Sequence, residues 1–208
     1  MNDYLTNQKP ETVKRFVVFE GGDGSGTSTQ LELLRGKPRV WTTREPTDSP
    51  IGRLIRSALR GEITLHPETL TRLFSADRNE HLFAKDGVID RCSQGEIVVS
   101  DRYTLSSLVY QGFLCGDLPF KLNEDFPLPE LLFFLDIDPQ IAMRRIENRS
   151  DREIYEYLEF QELVRERYKT LVPQWQQKGV RVIVIDASEP VEAIARKAAQ
   201  EIDALRKE

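Results

Sequence analysis

Phe16-Val17-Val18-Phe19-Glu20-Gly21-Gly22-Asp23-Gly24-Ser25-Gly26-Thr27-Ser28 is the stretch whose reading decides the fold. Four apolar residues run unbroken into a glycine-rich segment, which reads as a strand buried on both faces meeting a tight loop. Thr27–Leu34 beyond it suits a helix, with Gly36 near the C-terminal cap. Between strand and helix, Gly21 to Ser28 has the spacing of a phosphate-binding loop: glycine, four residues, glycine, lysine, then serine or threonine. The frame holds at every position except the lysine, where Thr27 stands. Glycines let backbone N–H groups curl inward around phosphate oxygens, and the helix N-terminus adds partial positive charge. Gly21, Gly22, Asp23, Gly24, Ser25, Gly26, Thr27, Ser28 and Thr29 are therefore the candidates for holding a nucleoside triphosphate. Ser28 occupies the place where a hydroxyl ligates Mg²⁺.

No lysine nearby substitutes for the missing one. Lys37 lies ten residues along, roughly 15 Å away on a straight helix. Lys14 precedes the strand and falls at the opposite edge of the sheet, roughly 15–20 Å away. Arginines remain as candidates, with several donors but a different geometry.

Outward from the loop, short apolar runs alternate with helical patterns. Arg39–Thr43, Ile97–Val99, Leu131–Leu135 and Val180–Ile185 read as four further strands. Ile51–Leu59, most of Pro67–Cys92, Gln140–Ile146, Tyr155–Gln177 and Pro190–Leu205 read as helices, with a kink or break expected at Pro173. Residues 1–15 are polar and without period, which suggests a loose tail before one domain spanning 16–208. The alternation predicts an α/β P-loop fold, a five-stranded parallel sheet with helices on both faces. Ligands of such sheets lie at the carboxyl ends of the strands. Those ends carry Glu20, Arg44, Asp101, Arg102, Asp136 and Asp186, too many charges to serve core packing.

Composition narrows the class. Of 208 residues, 39% are hydrophobic and 30% charged, ordinary values for a globular protein that argue against a mainly disordered chain. A formal net charge of -5 argues against a broadly basic nucleic-acid surface. Leu131–Leu135 is far too short to cross a bilayer, and Met1–Gln8 has no apolar run of the signal-peptide type. Cys92 and Cys115 form no metal or redox motif. A cytoplasmic protein without nucleic-acid or membrane partners is the expectation.

Five motifs in order, from about Phe16 to Ala187, resemble the thymidylate kinase family. They are Phe19–Gly26; Arg44-Glu45-Pro46; Leu73-Phe74-Ser75-Ala76-Asp77-Arg78; Asp101-Arg102-Tyr103 through Gly112; and the arginine-rich Arg144–Glu153 with Glu156 and Phe160. The resemblance implies transfer of the γ-phosphoryl of ATP to dTMP with Mg²⁺, and a homodimer. It places Asp23 beside the sugar hydroxyl and the reacting centre, and Arg44 on the dTMP phosphate side. It puts Phe74 and Arg78 at the thymine, and Ser107, Tyr110 and Gln111 at base and sugar. Arg102 bridges the donor and acceptor phosphates, and Asp101 either orients Arg102 or, with Ser28, holds Mg²⁺ through water. Residues 144–155 are similar to a lid over ATP. In one arrangement of the family an arginine sits inside the phosphate loop; Gly24 holds that position here, so the lid is expected to supply it. Arg149 first, and Arg145 second, are the expected surrogates for the absent lysine. Thr47-Asp48-Ser49-Pro50 departs from the family's glycine-rich continuation.

Two other readings stay open on the sequence. A nucleotide-binding protein without catalysis would bind ATP but release no ADP. A kinase for another deoxynucleotide or nucleoside would differ in its acceptor preference.

Overall fold

The computed structural model describes residues 11–147 and 154–206. In chain order its strands are β1 (Thr12–Gly21), β2 (Val40–Arg44), β3 (Ile97–Asp101), β4 (Leu128–Asp136) and β5 (Arg181–Asp186). Its helices are α1 (Thr27–Leu34), α2 (Pro50–Leu59), α3 (Pro67–Phe83), α4 (Val88–Ser93), α5 (Thr104–Tyr110), α6 (Gly112–Cys115), α7 (Leu118–Asn123), α8 (Pro139–Ile146), α9 (Leu158–Gln177) and α10 (Val191–Ala204).

β1 is the central strand, and that position accounts for its unbroken apolar run. It pairs in parallel with β3 on one side and β4 on the other, Phe19 standing opposite both Asp101 and Phe133. β2 and β5 complete the parallel order β2-β3-β1-β4-β5. Alternation along β1 then distributes the core. Val17 and Phe19 face α1 and α10, meeting Leu31, Leu34, Ile194 and Ala198. Phe16 and Val18 face the opposite layer, where Leu82, Val88 and Tyr103 close over them. Farther along that layer α5 and α9 cover Leu132 and Phe134 with Leu105, Val109, Val164 and Tyr168. The expected five-stranded parallel sheet with helices on both faces is what forms.

Several boundaries differ from the sequence reading, each for a local reason. β1 begins at Thr12, so residues 12–15, read as tail, belong to the sheet. A register shift between Val13 and Val17, with Arg15 at φ 63°, hides the alternation there. The backbone N–H of Arg15 donates to Glu130 Oε2 at 2.6 Å, which holds the irregular turn. The helical stretch read as Pro67–Cys92 divides into α3 and α4 around Asp86, at φ 60°. α9 starts at Leu158 rather than Tyr155, because Tyr157 before it is extended, at φ -137° and ψ 146°; Tyr155 stacks its ring on Phe160 at 5.1 Å. Pro173 does not end α9, which runs on to Gln177. Pro173 lies on the exposed side, while Leu171, Val172 and Trp175 bury the opposite side in the core. Of the segment expected as a lid, 144–155, residues 148–153 lie outside the described residues, and residues 144–146 belong to the last turn of α8.

Candidate active site

The loop between β1 and α1 closes on itself through the Ser25 N–H, which donates to the Gly22 carbonyl at 3.2 Å. Gly24 and Gly26 have φ of 81° and 96°, a region that L side chains avoid. Gly24 is constrained twice, since a Cβ there would stand 2.5 Å from the Ala142 carbonyl oxygen of α8. An arginine inside the loop at this position has no room. Thr27 is buried in the first turn of α1, whereas Ser28 and Thr29 are exposed. Ser28 Oγ donates to Asp101 Oδ2 at 2.5 Å, joining the start of α1 to the end of β3. Asp101 Oδ1 is buried and accepts no hydrogen bond among the described residues.

Arg102 follows directly. Its φ is 69°, and its backbone N–H donates to the Phe19 carbonyl at 2.8 Å. A non-glycine residue held in that region costs about 1–3 kcal/mol, a strain found preferentially at functional sites. The conformation aims the guanidinium back at the loop. Nη1 donates to the Gly21 carbonyl at 3.0 Å, and Nη2 to Asp23 Oδ1 at 2.6 Å. The Tyr110 ring lies 5.1 Å from the guanidinium carbon. Arg102 remains a cation: although burial opposes its charge, Tyr110 and Asp23 and further neighbours hold its pKa well above the ordinary value.

Beneath Arg102 lies a carboxylate that no solvent reaches. Glu20 has the same strand parity as Phe16 and Val18, which turns it into the layer under α5 and α9. Its Oε1 accepts from the Tyr103 N–H at 3.0 Å, and its Oε2 from Ser106 Oγ at 2.5 Å and Tyr168 Oη at 3.0 Å. Burial pushes its pKa up to about 7, against the opposing pull of Ser106 and Arg102. Ser106 Oγ also lies 3.3 Å from Arg102 Nη1, so Glu20 supports the arginine through one hydroxyl.

Beside Arg102 lies a cavity of ≈ 200 Å³ bounded by Asp23, Arg102, Phe74, Tyr110 and Gln111, among others. Arg78, Ser107 and Arg44 also line it. Arg78 is 1% exposed, and its fork is already engaged by Glu45 Oε2 at 2.8 Å, Ser107 Oγ at 3.1 Å and Asn123 Oδ1. Glu45 also meets His81 Nδ1 at 3.0 Å. Arg44 is exposed at the cavity mouth and pairs with Asp48 at 2.8 Å. Asp77 accepts from the Thr47 N–H, Thr47 Oγ1 and Ser49 Oγ at 2.7, 2.6 and 2.8 Å, fixing the segment that departs from the glycine-rich pattern.

Asp23, Arg102, Phe74, Arg78, Ser107, Tyr110 and Gln111 thus converge on one cavity, which Ser28 and Asp101 also line. Arg145 sits on the far flank of the loop, donating to the Ala187 carbonyl at 2.9 Å and, longer, to that of Gly24 at 3.5 Å. Arg149 lies outside the described residues. The sequence reading missed Glu20 as a support, Glu45 as the partner of Arg78, Asp77, and Gln161, which binds Asp23 from α9.

A glycine loop between the central strand and its helix, at the carboxyl edge of a five-stranded parallel sheet in the order β2-β3-β1-β4-β5, is the α/β arrangement of the P-loop kinase fold. Residues 19–198 match the family model for thymidylate kinase. A Treponema pallidum protein is 42% identical over 187 residues, covering 86% of this chain and 90% of its own length. One from Pyrobaculum aerophilum is 44% identical over 189 residues, covering 89% and 94%. One from Methanococcus maripaludis is 39% identical over 188 residues, covering 88% and 92%. All three are named, provisionally, as thymidylate kinases. The chain belongs to the thymidylate kinase family.

Proposed function

We propose that this protein phosphorylates dTMP to dTDP with ATP and Mg²⁺, and that it works as a cytoplasmic homodimer. The observation that carries the reading is the Asp23–Arg102 pair, which stands where the phosphate loop opens into the cavity walled by Phe74, Tyr110 and Gln111. Two polyanions must approach for in-line transfer, and a fixed guanidinium between them lowers their repulsion. The protein forms no covalent intermediate in this account; it aligns two phosphates and offsets their charge. Asp23 accepts from the sugar hydroxyl, and Arg44 at the cavity mouth takes the acceptor phosphate by its fork.

Mg²⁺ fits the oxygen donors present. Ser28 Oγ and Asp101 would hold it, since Asp101 Oδ1 is buried with no partner among the described residues. A small ion that keeps several waters and takes its other ligands from phosphate suits a site with few protein donors. When bound, it screens the β- and γ-phosphate oxygens.

ADP release is measured with ATP and a panel of acceptors. dTMP should react fastest, dUMP more slowly, and AMP, GMP and thymidine only slightly. A preference for thymidine over dTMP would overturn the assignment, because Arg102 would then lack an acceptor phosphate.

A further inference from the structure

Gln161 lies on α9, far in sequence from the phosphate loop, and is 2% exposed. Its amide meets Asp23 at two points. Oε1 accepts from the Asp23 N–H at 3.0 Å, and Nε2 donates to Asp23 Oδ2 at 2.7 Å. The second amide hydrogen reaches the Tyr155 carbonyl at 3.0 Å. Both donors and the acceptor are therefore engaged, and the amide has one workable orientation. Gly22 makes room for this contact, because a Cβ there would stand 3.0 Å from Gln161 Oε1. Gly22 lacks the positive φ that would demand glycine, so close approach is the reason for its size.

From these contacts we propose that Gln161 is a positioning residue of the transfer site. It fixes the Asp23 carboxylate so that Oδ1 meets Arg102 while Oδ2 is held from α9. The inference rests on the kinase reading above. The place calls for a planar group that accepts from a backbone N–H and donates to a carboxylate, which an amide does at any pH and a carboxyl does only when protonated. Removing it frees Asp23 to rotate, and the Arg102 guanidinium loses a fixed partner at the junction of the two phosphates.

The test uses Gln161→Met, which keeps the length and removes the hydrogen bonds, and Gln161→Glu, which keeps the acceptor and replaces the donor by charge. Kinetics with ATP and dTMP, thermal midpoints and kcat against pH are measured for both and for wild type. Gln161→Met should lower kcat roughly 10- to 100-fold, with KM for ATP changed less than threefold and the fold retained. Gln161→Glu should be impaired at neutral pH and recover activity relative to wild type as pH falls, because a protonated carboxyl again donates to Asp23. The charged and titratable groups near this side chain are Asp23, Arg102 behind it, the Asp136–Arg165 pair, Tyr168 and, through Tyr168, Glu20. They are common to both proteins, so the ratio of the two profiles reports the coupled titration of the introduced carboxyl with Asp23. A Gln161→Met enzyme within twofold of wild-type kcat would overturn the proposal. Should that variant not fold, an unchanged pH ratio for Gln161→Glu overturns it alone. Wild type without turnover on dTMP would instead remove the kinase reading and the inference together, which separates the two failures.

Discussion

Arg102 combines a strained backbone, a partly buried cation and hydrogen bonds to both Gly21 and Asp23 of the phosphate loop, and its removal is the sharpest single-residue test. Arg102→Ala should lower kcat/KM for dTMP roughly thirty-fold to a thousand-fold, as expected for loss of a charged group at a transferring phosphoryl. Circular dichroism should be unchanged, since the side chain packs at a strand end and not in the hydrophobic core. Near wild-type kinetics would reduce it to a structural role. Glu20 makes a second prediction. Its folded-state pKa of about 7 lies above the ordinary 4.5. Between those values the folded chain keeps a proton that the unfolded chain has lost. The contribution is thus fully present below about pH 4.5 and is lost as pH rises through about 7, a change of about 3 kcal/mol at most. Glu20→Gln cannot titrate. Urea midpoints of variant and wild type should therefore diverge in favour of the variant as pH rises across that window. Parallel curves would show that the buried carboxylate does not titrate there.

Among the elements, the phosphate loop poses the question of the missing charge. A lysine in place of Thr27 would follow the transferring group, and losing such a contact costs roughly 2–4 kcal/mol of transition-state stabilisation. Arg102 and Arg145 both hydrogen-bond to the loop. Our proposal remains that Arg149 supplies the charge over ATP. Arg149→Ala should lower kcat far more than it raises KM for dTMP, and Thr27→Lys should partly restore it. A double-mutant cycle on kcat at saturating substrates reads the coupling. Additive effects would leave Arg149 without that role. The loop itself was legible because its signal is local: glycines, strand and helix adjoin in sequence. Arg102, Phe74 and Arg78 were legible only as members of a family pattern. Gln161 and the role of Glu45 were not, because their meaning lies in partners brought together by the sheet: a glutamine on an amphipathic helix reads as surface, and nothing local pairs Glu45 in its loop with Arg78. The irregular start of β1 was hidden for another reason. Polar residues beside a register shift carry no period-two pattern.

For the whole molecule, the parallel sheet sets where chemistry can occur. All five strands run the same way, so Glu20, Arg44, Asp101 and Asp136 reach one edge, and the loops between them enclose the site. Among the described residues no helix is long and apolar enough to cross a membrane. The fold and the family membership explain why a phosphoryl donor and a pyrimidine nucleotide would meet at this edge. The most direct test is transfer itself. The protein is incubated with Mg²⁺, dTMP and ATP labelled on its γ-phosphate, and the nucleotides are separated. The account predicts label in the β-phosphate of dTDP, with one ADP formed for each dTDP. Label appearing only in inorganic phosphate, or bound ATP with no transfer to dTMP, would contradict it.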